Sequence, residues 1–159
     1  MGAWLVDECD PGLHRPALAM GDDDFGPDLY LLLRGMLSLM YQHHGVGLAA
    51  CQIGIDRSVI AWDTGNGPSF AANPVVIASS DALCTHLEGC LSIPERAIAI
   101  ERPREVDVSC RSLTGDAKVI SAAGLLARVL QHEVDHVRGI TILDHIDRHL
   151  QGAASPTAL

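Results

Sequence analysis

The sequence contains few positive charges, and this limits the partners that it can bind. Its 159 residues include 11 Lys and Arg against 20 Asp and Glu, which gives a formal net charge of −9 at pH 7. The basic residues form no cluster of the kind that neutralises the phosphates of a nucleic acid. The composition therefore argues against nucleic acid as a main partner.

The sequence also lacks a long apolar segment, an export signal and a disulfide pattern. Its most apolar stretch, residues 29–41, is interrupted by Arg34 and is too short to cross a bilayer. Residues 1–8 contain neither a basic run nor an apolar core, so a secretory signal is not expected. The five cysteines are scattered without the spacing of a disulfide framework. We therefore expect a cytoplasmic protein without a membrane segment, in a reducing environment.

Internal repeats, linkers and low-complexity segments are absent, and the length suits one domain. With 159 residues, of which 48% are hydrophobic and 19% charged, the chain can bury one sizeable core. We predict a single domain over residues 1–150. Residues 151–159 are small and carry no positive charge, so we expect a disordered tail there.

The spacing of apolar residues predicts two helices and several strands. Pro27 opens the first helix, which should end before Gly45. We place Ser121 at the N-terminal cap of the second helix and Gly139 at its C-terminal cap. The predicted strands cover residues 57–62, 74–77, 97–100 and 105–110. Strands that flank a buried helix indicate an α+β domain.

The second helix carries the most informative motif of the sequence, H-E-x-x-H. His132, Glu133 and His136 fall on the same helical stripe as Leu125 and Val129, which should face the core. Burying two imidazoles and a carboxylate there would cost several kcal/mol without partners. A metal ion with a bound water is the partner that this spacing commonly serves, so the motif predicts a metal-dependent hydrolase.

The motif supplies only two metal ligands, and a third must come from elsewhere in the chain. Metzincins take a third histidine six residues after the second, but position 142 is Ile. Thermolysin-like enzymes take a downstream glutamate, and no Glu follows Glu133. Upstream, Cys90 would complete a set of one sulfur and two nitrogens. Four downstream residues remain as alternatives: Asp144, His145, Asp147 and His149.

Three motifs, taken in order, resemble those of the peptide deformylase family. They are G-V-G-L-A-A-C-Q at residues 45–52, E-G-C-L-S at 88–92 and Q-H-E-V-D-H at 131–136. The family carries G-x-G-L-A-A-x-Q, E-G-C-L-S and Q-H-E-x-D-H in this order and at about this spacing. Each motif alone is a moderate signal, and three in order are a strong one. One departure is Cys51, because the family often has proline there, and the change can loosen the turn that aims Gln52.

The resemblance implies a fold and an activity. The implied fold packs small, mostly antiparallel sheets around the central helix that carries H-E-x-x-H. The implied reaction removes the formyl group from the N-terminal formyl-methionine of new peptides and releases formate. Two alternatives stay open: a related protein that acts on a specialised formamide, and one whose metal has a merely structural role.

The resemblance also implies a role for individual residues. The implied metal ligands are Cys90, His132 and His136. Glu133 would move the proton, while the Gln52 amide and the Leu91 backbone N–H would stabilise the oxyanion. The residues expected to bind the substrate are Val46, Gly47, Gly89, Leu125 and Val129. Glu88 and Arg102 would form either a partly buried ion pair that holds the Cys90 loop or a surface pair of little value.

The resemblance also implies a cofactor and a partner. A thiolate with two imidazoles suits several divalent metals. The resemblance implies Fe²⁺, with Zn²⁺, Ni²⁺ and Co²⁺ as alternatives. The implied partner is a formyl-methionyl peptide. Transient contact with ribosomes is expected to be weak, because residues 151–159 contain no equivalent of the basic C-terminal helix of many relatives.

Overall fold

The computed structural model describes residues 4–146, which contain seven strands and two long helices. The strands are β1 (Gly47–Ala49), β2 (Val59–Trp62), β3 (Ser69–Ser79), β4 (Leu83–Cys90), β5 (Ile93–Pro103), β6 (Glu105–Arg111) and β7 (Ala117–Ala123). The helices are α1 (Pro27–Gln42) and α2 (Gly124–Val137), and a 3₁₀ turn covers Ala50–Ile53. The predicted tail and the candidate ligands Asp147 and His149 lie outside the described residues.

Two antiparallel sheets surround α2, as the predicted α+β class requires. The larger sheet has the strand order β1-β2-β3-β6-β7, and β4 and β5 form a separate hairpin. Helix α2 contacts all five strands of the larger sheet and β5 of the hairpin. The prediction of small antiparallel sheets around the H-E-x-x-H helix is therefore confirmed.

Strand β2 separates the two main apolar clusters. Its side chains alternate between the faces of the sheet, as in any strand. Ile60 and Trp62 pack with the α2 side of the core, whereas Val59 and Ala61 pack with the α1 side. Because both faces are covered by a helix, all four residues of this strand are buried. The larger sheet thus packs against α2 on one face and α1 on the other.

The first helix was predicted correctly, and the second was predicted correctly only at its end. Helix α1 begins at Pro27 and ends before Gly45, as expected. Gly139, at φ +76°, caps α2, and its N–H donates to the His136 carbonyl at 3.0 Å. The prediction of Ser121 as the N-cap was wrong. Ser121 lies in β7, whose pairing with β6 continues to Ala123 before the chain turns into the helix.

Three strands were missed, and two were predicted too short. Strand β1 has only three residues, and β4 and β7 expose most of their side chains, so neither shows a clear apolar alternation. Strands β3 and β5 extend well beyond the predicted 74–77 and 97–100, because pairing with neighbours stabilises their polar ends. Among residues 4–146, no helix is long and apolar enough to cross a membrane.

Candidate metal centre

Three side chains from two elements converge between the hairpin and α2. Cys90 ends β4, and His132 and His136 lie on successive turns of α2. One ligand atom from each lies within 4.8 Å of the others, and the Cys90 Sγ is 3.2 Å from the His136 Nε2. Cys90 and His136 are buried, and His132 is partly buried. The structure therefore brings together the three residues that the motifs single out as ligands.

The two downstream candidates within the described residues make other contacts. The Asp144 carboxylate accepts hydrogen bonds from the backbone N–H and hydroxyl of Thr141, at 2.7 and 2.9 Å. The His145 Nε2 lies 2.9 Å from the Asp135 carboxylate. Neither belongs to the cluster formed by Cys90 and the two α2 histidines.

The cluster fits a divalent metal ion by its donor set. One sulfur and two nitrogens leave the fourth position of a tetrahedral site open for water. Burial lowers the pKa of His136 well below its usual value, so its imidazole is neutral, as a metal ligand must be. Burial also opposes charge on His132, but hydrogen bonds to Cys90 and Glu88 raise its pKa to about 10. The neighbours of His132 thus stabilise a positive charge on its ring.

Glu133 is buried beside the cluster with one oxygen unpaired. The side chain is almost fully buried, and its Oε2 has no hydrogen-bond partner among the described residues. Removal from water raises the pKa of Glu133 to about 7, although the nearby His132 opposes the rise. Buried polar atoms normally have partners, so the free oxygen indicates a place for a water or a substrate group. A carboxylate with a pKa near neutrality can both accept and return a proton.

The Gln52 side chain is held at both of its ends. Its Oε1 accepts a hydrogen bond from the Ala49 backbone N–H at 2.9 Å. Its Nε2 faces the Cys90 Sγ at 3.5 Å and the Ser92 Oγ at 3.4 Å. Cys51 is buried in the same 3₁₀ turn, and its Sγ lies 3.5 Å from the His136 carbonyl oxygen. The amide of Gln52 therefore lies at the candidate metal site in a defined orientation.

A cavity of about 410 Å³ opens beside the cluster. Its wall includes Gln52, Leu91 and Glu133, together with all the residues predicted to bind the substrate: Val46, Gly47, Gly89, Leu125 and Val129. The prediction that Leu125 faces the core was wrong, because 57% of its surface is exposed. It lies in the first turn of α2 and lines the cavity, so it is at the cavity mouth.

The comparison with known proteins agrees with this geometry. The family model described as polypeptide deformylase matches residues 3–151. The chain belongs to the peptide deformylase family. It is 39% identical over 128 residues to the peptide deformylase of Picosynechococcus sp., covering 77% of this chain and 68% of the relative. It is 42% identical over 139 residues to that of Natranaerobius thermophilus, covering 87% and 88%.

Solved structures show the same family fold. The peptide deformylase from Thermotoga maritima superposes with a TM-score of 0.87 at 34% identity, covering 91% of this chain and 97% of that one. A peptide deformylase from Synechococcus elongatus in complex with actinonin gives a TM-score of 0.84 at 38% identity, covering 90% and 78%. The resemblance found from the three motifs is therefore confirmed.

In this member of the peptide deformylase family, Glu88 forms a buried ion pair with Arg102. The guanidinium donates from Nε to Oε1 at 2.6 Å and from Nη2 to Oε2 at 2.9 Å. The side chains of Arg102 and Glu88 are 6% and 5% exposed, so the surface alternative is wrong. Burial disfavours the carboxylate, but hydrogen bonds from His132 and Arg102 hold the pKa of Glu88 below its usual range. Its Oε2 also lies 3.0 Å from the His132 Nδ1, which leaves Nε2 of His132 free to bind a metal.

Sequence reasoning missed two residues of this deformylase-family site. Arg128 lines the cavity, and its Nη1 lies 2.5 Å from the Glu88 Oε1. Ser92 is almost fully buried beside the Gln52 amide. The position of Arg128 four residues before His132, on the same helix face, was a usable signal. Ser92 lies within the E-G-C-L-S motif, but the motif does not indicate what its side chain contacts.

Gly47 makes a close approach to Glu133 that a larger residue could not make. A Cβ at this position would collide with the Glu133 carboxylate and would lie 2.9 Å from the Val129 Cγ1. We therefore expect Gly47→Ala to displace the Glu133 carboxylate and to lower kcat by about 10- to 100-fold. The measurement is formate release from a formyl-methionyl peptide at saturating concentration.

The matched control is Gly35→Ala in the interior of α1, where a Cβ would meet no atom within 4 Å. This variant should keep wild-type activity and should be slightly more stable, because alanine favours helices over glycine. An unchanged kcat in Gly47→Ala would contradict the prediction.

Proposed function

We propose that this chain is a metal-dependent hydrolase that removes the formyl group from the N-terminal formyl-methionine of new peptides and releases formate. The carrying observation is the cluster of Cys90, His132 and His136 at a cavity that also contains the unpaired Oε2 of Glu133. Membership of the peptide deformylase family supports the same reaction. We assign the activity to residues 1–150 as a single domain.

We assign Cys90, His132 and His136 as the metal ligands. When bound, a divalent ion would act as a Lewis acid and lower the pKa of a coordinated water. We favour Fe²⁺ from the family resemblance, while Zn²⁺, Ni²⁺ and Co²⁺ are also compatible with one sulfur and two nitrogen donors. Glu88 orients the His132 ring by accepting a hydrogen bond from its Nδ1.

We assign the proton transfers to Glu133. The Glu133 carboxylate accepts a proton from the attacking water as the water oxygen bonds to the formyl carbon. It then delivers this proton to the amine nitrogen as the C–N bond breaks, so that formate and a free amino terminus leave. The raised pKa of Glu133, about 7, suits a group that must carry out both steps at neutral pH.

We assign the stabilisation of the oxyanion to the Gln52 Nε2 and the Leu91 backbone N–H. Donors that are already oriented toward the developing charge lower the barrier most, because they need no rearrangement during the reaction. The hydrogen bond from the Ala49 N–H to the Gln52 Oε1 fixes the amide in such an orientation. Leu91 directly follows Cys90 and lies on the cavity wall.

Replacing Gln52 by alanine should therefore lower kcat by about 100- to 1000-fold, the usual cost of one lost oxyanion donor. Metal content should stay at the wild-type level, because Gln52 is not a ligand. Gln42→Ala, at the exposed end of α1, is the control and should have no effect. A Gln52→Ala enzyme that keeps its kcat would remove this residue from the reaction.

We assign the methionine side chain to the apolar part of the cavity. Val46, Leu125 and Val129 would surround it, and the backbones of Gly47 and Gly89 would pair with the peptide chain. A volume of about 410 Å³ leaves room for more of the substrate than its first side chain. The formylated peptide is thus the partner that the cavity suits. Contact with ribosomes stays a prediction.

The test is formate release by anaerobically purified protein with its bound metal quantified. We expect turnover of a formyl-methionyl peptide to exceed turnover of the same peptide with formyl-alanine and of small formamides. Poor turnover of formyl-methionyl peptides beside good turnover of another formamide would favour a specialised substrate. Metal-loaded protein without turnover of any formamide would favour a structural metal.

A further inference from the structure

The proposed sulfur ligand and the two proposed nitrogen ligands belong to separate elements. Cys90 is on the β4–β5 hairpin, and both histidines are on α2. The buried cluster on the hairpin side contains only Cys90, Ile93, Ile100 and Ile142 among the described residues. None of these four residues lies on α2, and the side-chain contacts between the hairpin and the helix include several polar ones.

Arg128 makes several such contacts from α2 to both strands of the hairpin, beside those of Gln131 to the Pro103 carbonyl oxygen and of His132 to Glu88. Its Nη1 donates to the Glu88 Oε1 at 2.5 Å and to the Ile100 carbonyl oxygen at 3.1 Å. Its Nη2 donates to the Cys84 carbonyl oxygen at 2.8 Å and lies 3.3 Å from the Cys84 Sγ. The side chain is only 11% exposed, so these contacts are shielded from water. One guanidinium therefore connects α2 with β4 and β5.

Arg102 makes a different connection between the hairpin and α2. It extends from β5 to Glu88 on β4, and so it acts mainly within the hairpin. It reaches α2 through the Asp135 carboxylate at 2.9 Å, near the second histidine. Arg128 lies one turn before His132 and approaches Glu88 from the helix itself. Because Glu88 also holds the His132 Nδ1, Arg128 and His132 share one carboxylate.

We propose that Arg128 is a positioning residue of the metal centre, which holds the hairpin with Cys90 on the helix with His132 and His136. It binds neither the metal nor the reacting atoms. It acts through Glu88, which orients His132, and through the strand carbonyls, which determine how close β4 lies to α2. The inference rests on the proposed metal site but does not depend on the deformylation reaction.

The planar guanidinium is essential to this role. Its two terminal nitrogens point in different directions and bond acceptors on two strands at once, whereas a lysine ammonium is a single point of contact. A lysine at position 128 could neutralise Glu88, but its donors all lie on one nitrogen and lack the fixed fork that bonds Glu88 and the Cys84 carbonyl together. Removing the charge altogether would leave the buried Glu88 carboxylate with one partner fewer, which is costly in a shielded site.

The experiment compares Arg128→Ala, Arg128→Lys and Arg138→Ala with the wild type. Each metal-free protein is loaded anaerobically with Co²⁺, whose absorption reports the thiolate bond, and the rate of cobalt loss to a chelator is measured. Arg138 is the matched control, because it is exposed at the C-terminal cap of the same helix. Thermal unfolding of each variant defines a temperature at which all of them are folded.

We expect Arg128→Ala to lose cobalt about 10-fold faster than the wild type, since partners that orient ligands contribute about 10- to 100-fold to metal affinity. Arg128→Lys should lie between the two, and Arg138→Ala should match the wild type. If Arg128→Ala melts earlier but its folded form keeps cobalt as the wild type does, the residue is only structural and the proposal is wrong. Full recovery in Arg128→Lys would also overturn it, because charge alone would then suffice.

The same samples separate this inference from the proposed function. Wild-type protein that binds cobalt through the thiolate but releases no formate from formyl-methionyl peptides would contradict the proposed reaction only. The comparison of cobalt loss would still decide the role of Arg128. Wild-type protein that binds no cobalt would overturn both the proposed function and the role of Arg128.

Discussion

Replacing Glu133 by alanine is expected to lower formate release from a formyl-methionyl peptide by about 100- to 10,000-fold, the range over which a general acid–base residue contributes. The carboxylate is buried beside the proposed metal ligands, and its Oε2 has no partner among the described residues. Metal content should remain at the wild-type level, because Glu133 is not placed among the ligands. The measurement is kcat with the bound metal quantified in each sample.

Two further variants make the Glu133 result specific. Glu133→Gln keeps the shape of the side chain but cannot accept the proton, so its activity should fall as far as that of Glu133→Ala. Glu101→Ala, on the exposed side of β5, removes a carboxylate elsewhere and should have no effect. Substantial activity in Glu133→Gln would show that another group moves the proton.

Although Glu133→Gln should lose activity, it should not lose stability. In the metal-free protein, burial raises the pKa of Glu133 from 4.5 to about 7. A carboxyl group whose pKa is raised on folding contributes stability below its unfolded pKa and loses that contribution as the pH rises through the folded value. Metal-free Glu133→Gln should therefore be at least as stable as metal-free wild type at pH 8.

Replacing Cys90 by alanine is expected to remove the metal and, with it, the activity. Partners that only orient ligands are worth about 10- to 100-fold in metal affinity, and the loss of a ligand itself should exceed that. We expect formate release to fall with metal occupancy, by more than about 100-fold. Equilibrium dialysis against Co²⁺ or Zn²⁺ measures the affinity independently of turnover.

A second buried cysteine provides the control for Cys90. Cys110 lies on β6 in the main core, away from the cluster of ligands. Cys110→Ala should lower the stability through lost packing but should keep both the metal and the activity. A Cys90→Ala protein that still binds one metal ion per chain and releases formate would mean that the third ligand is a different residue.

The helices illustrate how local patterns predict structure well. The 3.6-residue period of α1 and the glycine after α2 depend on neighbours within a few positions along the chain, and both were predicted correctly. Ser121 shows where this reasoning fails. As a residue type it suits an N-cap, but pairing with β6 extends β7 past it, and the sequence of β7 does not reveal that partner.

The hairpin that carries Cys90 shows a stronger dependence on tertiary structure. Most side chains of β4 are exposed, so its strand was not predicted although it contains the sulfur ligand. The sequence indicated that Arg102 pairs with Glu88, but it could not indicate that the pair is buried, because this depends on how α2 packs against the hairpin. The contribution of Arg128 was not foreseen, since its acceptors on Glu88, Ile100 and Cys84 lie 28 to 44 positions away along the chain.

By itself, the sequence determined the family and the α+β class, and it led to the residues that we propose for the chemistry. Those properties depend on the order of three short motifs and on local periodicity, and both are visible along a chain. Only the tertiary structure decided that Cys90 meets His132 and His136, that Leu125 lies at the cavity mouth, and that Glu88 is shared by Arg102, Arg128 and His132. These facts depend on distances between residues far apart in sequence, which strand pairing and helix packing determine together.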